Sequence, residues 1–360
     1  MPTKLLFYLE VAGCLTSCQH CWARGRPYAN MPLQEIAWVL EQAHRACTDA
    51  GLVFDVHPMH ELLAHPHAVE VIRLFKAMTS PERFSDSFHP IPTTGVPLAV
   101  REDWQPMLEA VRDLGATTIW VTFHGADDVH DAAVNRLGAF RETCLAVERA
   151  HTMGFQCGCN IFVTKENVGQ FDELVATFQG LSVDGMFWDI ARYHPIVRVR
   201  RREAVRPELE DLLPVAERIV QLSPFYKDKW AHLESYTEAA YVRQAMVSSI
   251  ESGPPWEYPP LPDTVEVVCR GNLDVYGGQA GLYGRRLGSL RADGVAHVVQ
   301  TAIEVGPCPV DSLHFSTDAL PSIQSLAEQV GNAHGRKVYF HAPDIRQRWL
   351  DLALAEYRRY

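Results

Sequence analysis

The chain has 360 residues, 47% of them hydrophobic and 21% charged, enough to bury a large core and to build one large α/β unit with an appendage. A net charge of -11 argues against a nucleic-acid partner, whose phosphates would demand a basic face. No apolar run approaches the ~20 residues of a membrane span. The start "MPTKLLFYLEVAGC" lacks the features of a signal peptide, so a cytoplasmic protein without a membrane partner is expected.

Strand-length apolar runs alternate with helix-period stretches from the start to about residue 222. The strands read "LLFYLEV" from Leu5, "LVFDVHP" from Leu52, "FHPIPTTG" from Phe88, "TTIWVTFHG" from Thr117, "FQCGCNIFVT" from Phe155 and "GMFWDIAR" from Gly185. Between them lie "LQEIAWVLEQAHRACTDAG", "PHAVEVIRLFKAMT", "EDWQPMLEAVRDLG", "GAFRETCLAVERAHTMG" and "NVGQFDELVATFQG", with apolar residues at i, i+3, i+4 and i+7. Six β/α units predict a partial (β/α)6 TIM-like barrel over residues 1–224, with its chemistry at the carboxyl ends of the strands. An aromatic stretch and a Pro-rich linker fill 225–262. A smaller α+β C-terminal domain is expected over 263–360. The basic run "VRVRRREAVR", Val197 to Arg206, reads as a solvated loop or helix lead-in, or as a phosphate or partner site.

Nine cysteines in a chain expected to be cytosolic point to metal binding or thiol chemistry in preference to disulfides. Cys47 and Cys144 fall in helical patterns and read as small buried residues. Just past the first strand, "GCLTSCQHCW" spaces Cys14, Cys18 and Cys21 as C-x3-C-x2-C. A tetrahedral zinc site would need a fourth ligand, with His20 at hand inside the loop, but Cys18, His20 and Cys21 crowd such a geometry. A cubane iron-sulfur cluster held by three thiolates, with one iron left open, suits three thiols better.

The triplet, placed after the first strand of a six-unit barrel, resembles that of the radical S-adenosylmethionine (radical SAM) enzymes. The resemblance implies a 4Fe-4S cluster on Cys14, Cys18 and Cys21, with S-adenosyl-L-methionine chelating the open iron and His20 against the adenine. One electron, from a donor such as flavodoxin or ferredoxin, would yield a 5'-deoxyadenosyl radical that abstracts hydrogen from the substrate. "MHELLAHP", Met59 to Pro66, resembles the family's Gly-Gly-Glu-Pro followed by Leu-Leu-His-Pro, with Met59 and His60 where glycines stand. Glu61 and the carbonyls of Met59 and His60 are then candidates to receive the cofactor ammonium. His57 and His60 lie at the strand end, where site and surface roles are both open; His65 and His67 read as surface or cap residues.

"TTG" at Thr93 to Gly95 resembles the Thr-Asn-Gly that ends the family's third strand, and "VTFHGADDVHD" its Ser-Leu-Asp-Gly and His-Asp segments. Thr122 is a candidate for the cofactor's ribose or carboxylate, or an ordinary strand threonine. Arg136 is the candidate for the carboxylate, and Asn160 for the ribose side. "LDVYGGQAGLYGRRLGSLRADG" resembles the hairpin and Gly-Asn-Leu turn of a SPASM or twitch domain, with Ser289 in the asparagine's place. Only Cys269 and Cys308 lie beyond residue 222, so this domain is expected to carry no cluster and to close the barrel mouth, the stretch from Phe225 to Tyr241 lining it. Cys159, which shares a strand face with Cys157, and Cys269 are candidate hydrogen-atom donors.

Two functions of different kinds follow: radical tailoring, epimerisation or cross-linking of a small natural product or a peptide, or an iron-sulfur electron-transfer or scaffold protein without turnover. A leader-binding domain ahead of the barrel is not expected, which tilts the first reading slightly away from peptides while leaving a separate partner open.

Overall fold

Each predicted strand has one row of side chains to bury against helices and a second row facing a shared interior. The computed structural model describes residues 2–19, 21, 30–79, 90–191, 204–243, 263–277, 286–305 and 336–340. The six expected strands are present as β1 (Lys4–Glu10), β2 (Val53–Met59), β3 (Ile91–Thr93), β4 (Thr118–Phe123), β5 (Gln156–Phe162) and β6 (Gly185–Asp189). The five expected helices become α1 (Leu33–Asp49), α2 (Ala68–Met78), α4 (Trp104–Asp113), α6 (Ala139–Thr152) and α7 (Phe171–Gly180), and α8 (Leu209–Leu222) follows β6. Two short ones, α3 (Val96–Val100) and α5 (Asp127–Val134), were not legible, being too short to show a helical period.

Strands β1 and β2 pair in parallel, as do β3 through β6 in sequence order. Among the described residues no ladder joins β2 to β3, so the barrel is split into two sheets. One further difference from expectation concerns the C-terminal region. After α9 (Lys227–Ala231) and α10 (Glu238–Arg243), β7 (Thr264–Cys269) lies parallel to β1 on the side away from β2. Antiparallel β8 (Asp274–Gly277) and β9 (Arg286–Ser289) continue outward, and α11 (Val295–Val305) follows. The first sheet therefore runs β2-β1-β7-β8-β9. The segment expected to begin a separate domain extends the barrel's own sheet. The linker and Cys308 lie outside the described residues.

Burial alternates along the strands and fixes which face is which. On β4, Ile119, Val121 and Phe123 are buried, and Phe123 meets Phe140 of α6 and Phe178 of α7. Thr118, Trp120 and Thr122 face the lumen and are half-buried. On β1, Leu5, Phe7 and Leu9 join the core with Ile36, Val39, Leu40 and Ala43 of α1. Tyr8 turns inward, its ring 5.3 Å from that of His57 on β2.

At the end of β3, Gly95 holds a left-handed φ of 82°, and a Cβ there would stand 3.0 Å from the Thr143 Cα of α6. Both the backbone and the space demand glycine. Gly95→Ala should lower unfolding stability by about 2 kcal/mol or more in chemical denaturation. A change under about 0.5 kcal/mol would show that this junction is not under constraint.

Candidate active site at the carboxyl ends of the strands

The loop after β1 that carries the cysteines is anchored to the end of α5. Ser17 N–H donates to Val134 O at 3.0 Å and Gln19 N–H to Ala133 O at 2.9 Å, and the Gln19 side chain donates to Ala132 O at 2.8 Å. The terminal carbonyls of a helix have no partners within it, so the loop supplies their donors. Cys14, Cys18 and Cys21 are all half-buried. Burial, together with the nearby Glu61 carboxylate and the thiols of Cys21 and Cys18, pushes the Cys14 thiol far up, although the Glu61 N–H donates to it. Cys18 lies against Val96, Val134 and Ala139. His20 lies outside the described residues. Among the described residues, no three His, Cys, Asp or Glu side chains are arranged to grip a single metal ion. A cubane asks for a different arrangement, because each thiolate binds its own iron.

Glu61 sits at the seam between the sheets, 2% exposed. Its Oε1 accepts from Thr93 Oγ1 at 2.8 Å and its Oε2 from Thr94 N–H at 2.6 Å. Burial raises its pKa against the pull of these bonds. Expected to face a ligand, its carboxylate instead ties the end of β2 to the end of β3. Met59 closes β2 and is buried, and His60 adopts φ 63°, the left-handed backbone that a glycine in its place would supply. The His60 side chain turns to Glu10 at the end of β1, with Nε2 to Oε1 at 2.9 Å, while Glu10 Oε2 accepts from Gly271 N–H at 3.1 Å. Burial alone would raise the Glu10 carboxyl, but the bond and charge of His60, the Gly271 N–H and nearby Arg270 outweigh it and hold the group below its ordinary value. Sequence reasoning missed Glu10; its signal is an acid at the carboxyl end of an otherwise apolar strand.

The lumen face of the second sheet is ordered in rungs. Above the rung of Thr118 and Gln156, Trp120, Gly158 and Gly185 share one, and Thr122, Asn160 and Phe187 the next. Phe162 and Asp189 follow. His124 continues past β4, its ring stacked on that of Phe162 at 5.8 Å and 15°. These two rings, with Gln19, Ala133, Thr164, Ile190 and Arg206, line a cavity of about 60 Å³ beside the cysteine loop. Thr122 and Asn160 are neighbours across β4 and β5 and do not line this cavity.

Three other candidates stand elsewhere. The Arg136 guanidinium is held by Glu142 at 2.6 and 2.8 Å and reaches Leu15 O at 3.4 Å, so it braces the outside of the cysteine loop and does not point a charge into the lumen. Cys157 lies against Val147 O of α6 at 3.9 Å, and Cys159, on the same face, has Cys157 and Cys144 of α6 as its thiol neighbours. Cys269 shares the face of Leu9 and belongs to the same core as α1. Both proposed hydrogen donors therefore face the helix layer. The His-Asp pair is architectural as well. Burial takes His130 down to about 4, its Nδ1 accepting the His124 N–H, while Asp131 accepts from Gly138 and Phe140 N–H at the start of α6. His65 is likewise engaged, with Met31 O and the His67 N–H.

Burial also pushes the Cys157 thiol up to about 12, and those of Cys159 and Cys269 well above their ordinary value. Iodoacetamide at mildly alkaline pH should leave these three unmodified in the native chain and alkylate them in urea, as read by peptide mass spectrometry. Rapid native alkylation of Cys159 or Cys269 would place that thiol in the lumen after all. A carboxyl held low, as in Glu10, contributes stability above its unfolded value near 4.5 and loses it as pH falls through the folded one. The stability gap between the wild type and Glu10→Gln, about 1–3 kcal/mol near neutrality, should close below that pH; a gap independent of pH would remove the ion pair from the account.

No protein-family model matches the chain, and neither does any curated protein. Solved structures do match. The enzyme anSMEcpe, solved with AdoMet and the Cp18Cys peptide bound, aligns over 98% of this chain and 99% of its own, with a TM-score of 0.50 at 11% identity. SuiB of Streptococcus suis, solved with its precursor peptide SuiA, aligns over 76% of this chain with a TM-score of 0.46 at 14% identity. The alignment spans 59% of the SuiB chain. The near full-length match to anSMEcpe, with the six parallel strands and the split barrel they form, gives this chain the fold of the radical SAM enzymes.

Proposed function

We propose that the chain is a radical SAM enzyme that binds a 4Fe-4S cluster through Cys14, Cys18 and Cys21 and uses S-adenosyl-L-methionine to abstract hydrogen from a substrate in the barrel. The observation that carries this reading is the placement of three thiols on one anchored loop, at the strand end of a fold shared with an AdoMet-bound enzyme. When bound, the cluster supplies one electron to the sulfonium and so generates the radical. The residues of this chain hold and shield. The Met59 and His60 carbonyls are the candidates to receive the cofactor ammonium, and Thr122 and Asn160 offer a hydroxyl and an amide from the lumen wall. The His124 and Phe162 rings give the adenine a flat surface. Glu61 holds the cysteine loop and β3 in register and has no separate task at the ligand.

The substrate is a peptide or a small metabolite. That anSMEcpe was solved with a peptide bound favours a peptide. The outcome after abstraction is tailoring, epimerisation or cross-linking, and an electron donor of the flavodoxin or ferredoxin kind completes the system.

Anaerobic reconstitution should give about four irons per chain, and the triple Cys14→Ala, Cys18→Ala, Cys21→Ala variant should lose them. Iron retained in that variant would sink the assignment. With dithionite and S-adenosylmethionine, the reconstituted wild type should form 5'-deoxyadenosine. A full cluster that yields none would favour the electron-transfer or scaffold reading.

A further inference from the structure

The lumen face of the second sheet carries rings where a filled core would be sealed. Trp120 and Phe187 are half-buried and Phe225, just after α8, is 41% exposed. The rings that β4 and β6 send outward, Phe123 and Trp188, are at most 2% exposed. A Cβ built on Gly158 would meet the Trp120 indole at 2.3 Å, so the ring lies directly on the backbone of β5; Gly185, on the same rung, leaves 3.9 Å beside it. Phe225 meets the indole at 5.7 Å and 78° and Phe187 at 5.1 Å and 75°, with Phe187 and Trp120 6.5 Å apart. At these distances the rings touch one another, so they form a continuous floor and not a cage. Glycine inside a strand weakens it and marks a close approach. Gly158, given over to seating an indole, makes that apolar surface a built feature.

We propose that this floor receives an aromatic side chain of the substrate, which is therefore an aromatic amino acid, free or within a peptide. A planar ring can stack on the floor or meet it edge-on, whereas a cation would find no carboxylate on the two lower rungs of this sheet. Thr122 and Asn160, one rung or roughly 6.6 Å nearer the mouth, are placed to contact the substrate's backbone or amino-acid portion. The proposal rests on the radical SAM reading for the reaction performed there, but its test does not.

The full chain, labelled with 5-fluorotryptophan, is titrated with N-acetyl-L-phenylalaninamide and, separately, with N-acetyl-L-alaninamide, in the absence of S-adenosylmethionine and reductant. The Trp120 fluorine resonance is assigned among the eight tryptophans by its loss in Trp120→Phe. The phenylalanine probe should shift it saturably and the alanine probe should not. Phe187→Ala, or Phe225→Ala should the first variant not fold, should weaken the probe by about tenfold. No saturable shift, an equal shift from the alanine probe, or unchanged affinity in the folded variant would overturn the proposal. A chain that binds the probe yet forms no 5'-deoxyadenosine would instead overturn the functional reading and leave this one standing.

Discussion

The barrel is not stitched together where its two sheets meet, and the Glu61 carboxylate does the joining there. Its two bonds to Thr93 and Thr94 tie the end of β2 to that of β3, between which no ladder runs among the described residues. The same residue gives its N–H to Cys14. Thr93 passes the constraint onward, its hydroxyl accepting the Gly95 N–H at 3.0 Å, and Thr143 of α6 takes the Thr94 carbonyl at 2.9 Å. The cysteine loop, the end of β2, the end of β3 and α6 are thereby referred to a single residue. A buried carboxylate bears a desolvation cost, which its two donors offset only in part, so its pKa stays raised.

The strands divide their residues between two environments with different chemistry. Outward rows are apolar and sealed, and they hold Cys157, Cys159 and Cys269. Inward rows are half-buried and hold the aromatic, hydroxyl and amide groups. These three thiols therefore stand on the far side of the sheets from the lumen. The first sheet adds a polar wall of Tyr8, Glu10 and His57, facing an interior whose opposite wall is aromatic.

The strand list was legible because buried parallel strands are continuous apolar runs, and the cysteine loop because its spacing is unusual and its place follows β1. Period-two alternation put Cys157 and Cys159 on one face, but nothing local says which face is the lumen; that depends on where α6 packs. Arg136 sat near the family's register, yet Glu142, six residues on, competes for it at short range. The left-handed backbone at His60 was hidden because histidine replaces the glycine that usually announces it. The union of β7 with β1 was the least legible feature, since the alternation of elements carries no information about pairing between distant strands.

That union has a consequence for how the protein is made. Thr3 and Asp263, which meet beside the β1–β7 pair, are 260 residues apart. While the chain is being synthesised, β1 has one edge open until its last third emerges. An open apolar strand edge invites wrong partners, and pairings of such sequence separation form slowly. The loop that follows β1 takes its anchors from α5, which is synthesised well before β7, so the thiols are placed while the β1 edge is still open. A chaperone that shields the β1 edge during translation would raise the yield of correctly paired chain.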